Sequence, residues 1–268
     1  SKFQPHFLSL IFRELLEVEI DFQRIPGLSV AEAGVIFPDP LQRQELIELL
    51  VLTEMMVNPI PAELERSLEH WADALNVHNR SLVLARDVAT QARAQAQSDF
   101  YRLFWMGEED RQKANFERLL VKHGSQAWTF TVEEDPELSA QWRSLAQLPE
   151  STLGAAVWQH YQRHSFITPG ELGGANAALA HHDWLHVLGG YDVDVIGEVE
   201  NAAFGAGSSS VPGSTLWFLG AMAMFEGGLF DSVVAGCQPH QISAAAGPER
   251  VAHALRRGKQ CKQDILAL

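Results

Sequence analysis

The sequence predicts an all-α protein, a helical bundle that comprises two helical domains. Apolar residues recur every three or four positions over most of the chain, which is the spacing of one face of a helix. Breaks rich in proline and glycine separate these stretches, as at Pro38–Pro40. Apolar side chains make up 46% of the 268 residues, which is enough to form buried cores.

The first half of the chain contains four helical stretches in succession. An amphipathic stretch around Leu8–Leu16 is followed by the densely apolar Leu46–Met56, which ends at two prolines within Asn58–Pro61. The next helix carries one apolar stripe, formed by Leu64, Leu68, Trp71 and Leu75. Asn79–Gln97 is rich in alanine and arginine and has high helix propensity.

The helical pattern weakens between Gly124 and Pro149. Trp128–Val132 carries β-favouring residues, and we expect a short extended segment there. We therefore place the domain boundary in this region, near residue 145. This predicts one helical domain at 1–144 and a second at 145–268.

Helix signals return after Pro149. Ser151 is expected to begin one helix, and Thr168–Glu171 has the Thr cap, proline and glutamate typical of the start of another. That second helix should end at the pair Gly189-Gly190. Asp192 is a candidate cap for the helix that follows.

The net charge and the lengths of the apolar runs argue against nucleic-acid binding, a membrane-spanning helix and a secretory signal. The formal net charge is −14, which repels phosphate backbones and excludes nucleic acid as an expected partner. The longest apolar run, Leu216–Phe225, is about half the length that a membrane-spanning helix needs. The N-terminal apolar run is interrupted too early for a secretory signal, and the two cysteines lack metal-type spacing. A cytoplasmic location is expected.

The residues with the clearest chemical potential lie in the second half. His182 and His186 are four positions apart, so a helix places both imidazoles on one face. Asp183 lies about 100° round the helix. Beyond the Gly-Gly turn, Glu198 on the returning helix can face the pair. Two imidazoles and two carboxylates suit zinc best, and also iron, cobalt or manganese. A buried polar cluster without metal is the alternative.

The spacing His-Asp-x-x-His-x11-Glu resembles the hallmark of the coenzyme Q biosynthesis family called ubiquinone-biosynthesis protein four. Three segments carry the resemblance: Leu148–Gly154, Asp183–Tyr191 and Asp194–Glu198. The resemblance covers roughly residues 145 to 230. It implies an all-helical domain in which His182, Asp183, His186 and Glu198 bind a divalent metal.

The same resemblance implies a function in ubiquinone biosynthesis. The expected ligand is a polyprenylated aromatic or quinone lipid, and the reaction credited to the family is removal of a C1 carboxyl with hydroxylation there. Asp183 or Glu198 could also move protons. The best candidates for the wall of a lipid-tail cavity are Trp217, Phe218, Met222 and Phe225. Contacts with other enzymes of the pathway, peripheral contact with the inner membrane and a homodimer are compatible with this role.

Two features depart from that pattern or lie outside it. Typical members of the family have an arginine-rich stretch before the His-Asp pair, where this chain has Ala177–His181. In the first half, Leu46–Val77 resembles a helix pair of the tellurite-resistance TerB-like domain, with Pro61-Ala62-Glu63 retained and the acidic pair of that loop absent. We therefore expect no metal in the first half.

Two alternative functions remain open. One is a non-catalytic lipid-binding scaffold with a structural metal, which the missing arginines favour. The other is a phosphohydrolase based on a His-Asp dyad, with His160 or His164 and Asp231 as its remote groups. The spacing to Glu198 fits the ubiquinone family better. His160 and His164 are otherwise expected to be surface or capping residues, and His181 to face away from the metal or support it.

Overall fold

The computed structural model describes residues 3–22, 24–89, 100, 110–209, 212–229, 231–232, 238–244 and 246–261. Among these residues the regular structure is helical, with one isolated β-bridge, and the all-α prediction is confirmed. The α-helices are α1 (Phe3–Leu16), α2 (Val30–Ile36), α3 (Pro40–Met55), α4 (Ala62–Leu75), α5 (Arg80–Ala89), α6 (Asp110–His123), α7 (Pro136–Ser144), α8 (Leu153–His164), α9 (Ala177–Gly189), α10 (Val195–Ser208), α11 (Pro212–Phe225) and α12 (Gly247–Lys259). None of the described helices has the length and apolar character needed to cross a membrane.

The chain divides into two compact units. One unit comprises Ser1–Phe100 together with Asp194–Leu268, and the other comprises Tyr101–Val193. Residue 145, where the sequence placed a boundary, lies within the second of these units. The first unit therefore combines segments from both ends of the chain.

In the first unit, α10 packs against α11 and α12, α1 packs on α12, and α3 contacts α4, α5 and α11. Small residues bring α10 and α12 close together. A Cβ atom at Gly207 would lie 2.3 Å from the Leu255 carbonyl oxygen, and one at Gly258 would lie 2.2 Å from that of Phe204. Only glycine permits this approach of the two backbones.

The second unit has a core drawn from α7, α8 and α9. Its buried members are Trp142, Val157, Tyr161 and Ala180. The rings of Trp142 and Tyr161 have centroids 4.9 Å apart, which is a favourable aromatic contact. This core fixes α8 against α9, the helix that carries the two histidines of the motif.

Helix α9 begins later than the sequence indicated. Its cap is Asn176, whose side chain accepts a hydrogen bond from the Leu179 backbone N–H at 2.8 Å, and the predicted start at Thr168 is wrong. Gly170 has a φ of 91°, which a right-handed helix cannot contain. Residues 168–174 instead form turns, so the proline and glutamate of the apparent capping signal belong to a loop.

That loop pairs with the segment expected to be extended. The Thr131 backbone N–H donates to the Gly174 carbonyl at 2.7 Å, and Phe130 and Ala175 form an isolated antiparallel bridge. Trp128 ends a short 3₁₀ helix. The prediction of an extended segment at 128–132 is therefore confirmed only at the single bridge formed by Phe130.

The other helix boundaries lie close to their predicted positions. Thr152, one residue after Ser151, caps α8 by accepting from the Ala155 backbone N–H, and Asp194 rather than Asp192 caps α10. Gly190 ends α9 with a φ of 69°, so the predicted glycine stop is confirmed.

Candidate metal centre

Three side chains of the sequence motif lie together on α9. His182, Asp183 and His186 are all buried, and each offers one ligand atom within 4.8 Å of the others. The four-residue spacing accounts for the histidine pair, whose ring centroids are 5.2 Å apart. Asp183 joins them from the side, with its Oδ1 3.3 Å from Nε2 of His182.

Both imidazoles are oriented by backbone carbonyl groups. Nδ1 of His182 contacts the Leu179 carbonyl oxygen, and Nδ1 of His186 lies 3.3 Å from the Tyr191 carbonyl oxygen. A carbonyl oxygen only accepts, so each Nδ1 must carry the proton that it donates. The neutral imidazole then has its lone pair on Nε2, the form in which histidine binds metals while its other nitrogen holds the ring in place.

The carboxylate of Asp183 is oriented by a buried tyrosine. The Tyr161 hydroxyl on α8 donates to Oδ2 of Asp183, while Oδ1 points toward His182. Burial, followed by the negative charge of Asp183, raises the pKa of Tyr161 well above its ordinary value. Tyr161 therefore stays protonated and remains a donor to the carboxylate. The sequence analysis did not predict this contact.

The turn after α9 explains why the Tyr191 carbonyl reaches His186. Gly190 takes a left-handed conformation, and the backbone N–H groups of Gly190 and Tyr191 both donate to the His186 carbonyl. The ring of Tyr191 covers Gly189 so closely that a Cβ atom there would lie 2.1 Å from the ring. The Gly189-Gly190 pair therefore fixes both the chain reversal and the carbonyl that holds His186.

Glu198 lies in the first turn of α10, where it is buried and its backbone N–H donates to the Asp194 carbonyl at 2.9 Å. Helix α10 belongs to the first unit, whereas the three clustered residues belong to the second. The assignment of Glu198 as a fourth ligand stays a prediction.

The structure corrects the expectation for one further histidine. His160 is buried, and its ring is 6.1 Å from that of His186 with the two planes 20° apart. Burial, followed by the neighbouring charge of His164, lowers the pKa of His160 to about 4, so its ring is neutral near pH 7. His164 is half-buried, in better agreement with a surface position. The spacing Val157, His160, Tyr161 already marked a single face of α8, and that face is the buried one.

The donor set fits a divalent metal. Two imidazole nitrogens and one carboxylate oxygen are ligands that zinc uses in catalytic sites, and they also suit iron, cobalt and manganese. The backbone carbonyls and the Tyr161 hydroxyl supply the supporting hydrogen bonds that such ligands require. The residues present on α9 could therefore hold a metal ion, and the choice of zinc stays a prediction.

An open cavity lies along the adjoining face of α9. It has a volume of about 280 Å³ and is lined by Gln141, Trp142, Leu145, Ala177, His181 and Trp184. His181 is exposed there, in keeping with its expected direction away from the metal. Two tryptophan rings and an imidazole form a surface on which a flat aromatic group can stack.

The four side chains predicted to line a lipid tail are buried in α11. They are Trp217, Phe218, Met222 and Phe225. Two glycines in or just after this helix are closely packed against other residues. A Cβ atom at Gly220 would lie 2.1 Å from the ring of Phe100, and one at Gly227 would lie 2.4 Å from the Met55 carbonyl oxygen. Lipid contact at these residues stays a prediction.

No known protein-family model, curated protein or solved structure matches this chain.

Proposed function

We propose that this chain is a divalent-metal protein of ubiquinone biosynthesis, whose His182, Asp183 and His186 centre acts on a polyprenylated aromatic lipid. One observation carries the proposal: both imidazoles donate Nδ1–H to backbone carbonyls, which leaves Nε2 of each unprotonated, and the two rings lie in one cluster with a buried carboxylate. The spacing of the motif from His182 to Glu198 supports a reaction of the kind credited to the ubiquinone-biosynthesis family that it resembles.

When bound, the metal would supply Lewis-acid chemistry, polarising a carboxylate or phenolate oxygen of the aromatic head group. The chain's own residues provide the geometry. His182 and His186 hold the ion from one side of α9, and Asp183 contributes negative charge that offsets the charge of the metal. Tyr161 keeps Asp183 in position through its hydrogen bond.

The cavity beside Trp142, His181 and Trp184 supports an aromatic ligand near this helix. Aromatic rings stack favourably on indole and imidazole faces. We propose that the head group occupies this region. Trp217, Phe218, Met222 and Phe225 remain the residues that the sequence suggests for contact with a prenyl tail. Each isoprene unit adds several methylene equivalents, and about 0.8 kcal/mol per buried CH₂ is enough to retain a long tail.

The proposal is tested by reconstituting the full chain with zinc, iron, cobalt or manganese and adding a polyprenylated 4-hydroxybenzoate under air. Mass spectrometry should detect the ring product that has lost its carboxyl group as CO₂ and gained a hydroxyl group from water, with dioxygen as the two-electron oxidant that is reduced to hydrogen peroxide. His186→Ala should abolish turnover, whereas the matched variant His253→Ala, at an exposed histidine on α12, should retain it. Binding without turnover in any metal form would reject the catalytic assignment.

The non-catalytic scaffold is the second candidate. The first turn of α9, Ala177–Ala180, carries no cation that could bind a carboxylate or phosphate of a substrate. Cobalt substitution separates the two functions. A visible spectrum that changes when a small carboxylate is added indicates an open coordination position, as catalysis requires, and an unchanged spectrum indicates a closed structural site.

A further inference from the structure

A second group of polar side chains lies in the first unit, where α3, α4 and α5 pack together. It surrounds Glu54, in the last turn of α3, whose side chain is only 1% exposed. Both of its carboxyl oxygens are buried and have no hydrogen-bond partner in the part of the chain that the structure describes. An ionised carboxylate in this situation is costly unless a positive charge compensates it.

Glu54 lines a cavity of about 120 Å³. Three further carboxylates line the same cavity from α4, those of Glu65, Glu69 and Asp73. The basic groups at its wall are Arg86 and His78. Four carboxylates therefore face one guanidinium, and the cavity is strongly negative when His78 is neutral.

The guanidinium does not balance Glu54. Nε of Arg86 lies 3.0 Å from Oε1 of Glu69, so its charge is directed to that exposed carboxylate. Burial, followed by the charges of Glu65 and Glu69, raises the pKa of Glu54 to about 7. The carboxyl group is thus partly ionised near neutral pH while its surroundings are negative.

The spacing of the donors indicates which kind of cation fits. Among the described residues, a group of three His, Cys, Asp or Glu ligand atoms within 4.8 Å of one another occurs at His182, Asp183 and His186 and at no other place. An ion at Glu54 would therefore complete its coordination with water. Mg²⁺ behaves in this way, since it keeps several waters and binds through one or two carboxylates. A cavity of about 120 Å³ has room for the ion and about three waters at roughly 30 Å³ each, which is part of its hydration shell.

We propose that the cavity between α3, α4 and α5 is a site for a hydrated hard divalent cation of the Mg²⁺ type. Glu54 binds the ion directly, and Glu65, Glu69 and Asp73 accept hydrogen bonds from its waters. The site is separate from the histidine centre in residues and in ligand chemistry, because imidazoles suit zinc whereas carboxylates and water suit magnesium.

The test follows the melting temperature of the zinc-loaded full chain during a titration with MgCl₂ at pH 8 and constant ionic strength. The wild-type melting temperature should rise with Mg²⁺ concentration through the millimolar range, as expected for an ion that binds the folded state. Glu54→Gln should abolish this rise and keep its zinc. The matched control Glu45→Gln, at an exposed position on the same helix, should respond like wild type.

Glu65→Gln provides a second variant, which leaves the buried carboxyl group of Glu54 intact. It should shift the rise in melting temperature to higher Mg²⁺ concentration. It decides the question if Glu54→Gln fails to fold. An unchanged response in either folded variant, or a wild-type melting temperature that does not depend on Mg²⁺, would overturn the proposal.

Discussion

The His186 side chain is anchored two residues beyond the end of its own helix: Nδ1 lies 3.3 Å from the Tyr191 carbonyl oxygen. The left-handed turn at Gly190 makes this contact, because it brings the chain back beneath the last turn of α9. The turn therefore shapes the candidate metal centre as well as reversing the chain.

Gly189→Ala tests this link between the turn and the metal. The new Cβ would lie 2.1 Å from the Tyr191 ring, so the ring and its carbonyl must shift. We expect the free energy of unfolding to fall by about 1–3 kcal/mol and the zinc affinity to fall as well. Denaturant unfolding and competition with a zinc chelator measure the two effects. Gly124→Ala is the control: it strains a φ of 71° but meets no atom within 4 Å and lies outside the turn after α9, so it should lower stability and spare zinc affinity.

Tyr161→Phe tests the support of Asp183. The substitution keeps the ring that packs on Trp142 and removes the hydroxyl that donates to Oδ2. Loss of such a supporting hydrogen bond should weaken metal affinity by about 10- to 100-fold. Zinc competition with circular dichroism as the fold check measures this effect. Wild-type affinity in a folded Tyr161→Phe protein would show that the hydroxyl does not orient the ligand.

Glu54 should make stability depend on pH in the absence of added divalent cation. Its folded-state pKa of about 7 lies above the unfolded value of 4.5, so the folded chain binds more protons than the unfolded chain between these values. Stability should therefore fall as pH rises through this window, by about 3 kcal/mol at most from this group. Glu65, Glu69, Asp73, His78 and Arg86 also line the cavity and contribute to the profile.

Urea unfolding of wild type and Glu54→Gln from pH 5 to pH 8 isolates the contribution of Glu54. The difference between the two proteins should grow in favour of the variant as pH rises. Parallel profiles would mean that Glu54 keeps an ordinary pKa in the folded chain.

Gly220→Ala measures how tightly α11 is packed. The added methyl group would overlap the Phe100 ring, so we expect a loss of about 1–3 kcal/mol in unfolding free energy. Thermal and denaturant unfolding are suitable measurements. A neutral or stabilising effect would indicate free space beside Gly220, as an apolar tunnel at that position requires.

The helical class and the histidine pair could be predicted from the sequence because both follow from local periodicity. The four-residue spacing of His182 and His186 determines a shared helix face, whatever the rest of the chain does. The role of Tyr161 could not be predicted in the same way, because its hydroxyl meets Asp183 only after α8 packs on α9.

The division of the chain into two compact units could not be predicted from local sequence pattern either. The helical signal does weaken around residue 145, but a weak signal marks irregular backbone and does not locate the edge of a packed unit. The unit that joins Ser1–Phe100 with Asp194–Leu268 depends on contacts between distant segments. The apparent helix start at Thr168 failed for a related reason, since pairing of the loop with Thr131 selects the turns that precede Asn176.

The central claim is that α9 holds a metal through His182, Asp183 and His186, and metal content after zinc loading and dialysis tests it most directly. Native mass spectrometry of the full chain should show about one zinc ion per chain in wild type and in the control His181→Ala. His186→Ala should retain essentially none, because it removes one of the two imidazoles of the cluster. Equal zinc content in wild type and His186→Ala, with both proteins folded, would contradict the claim.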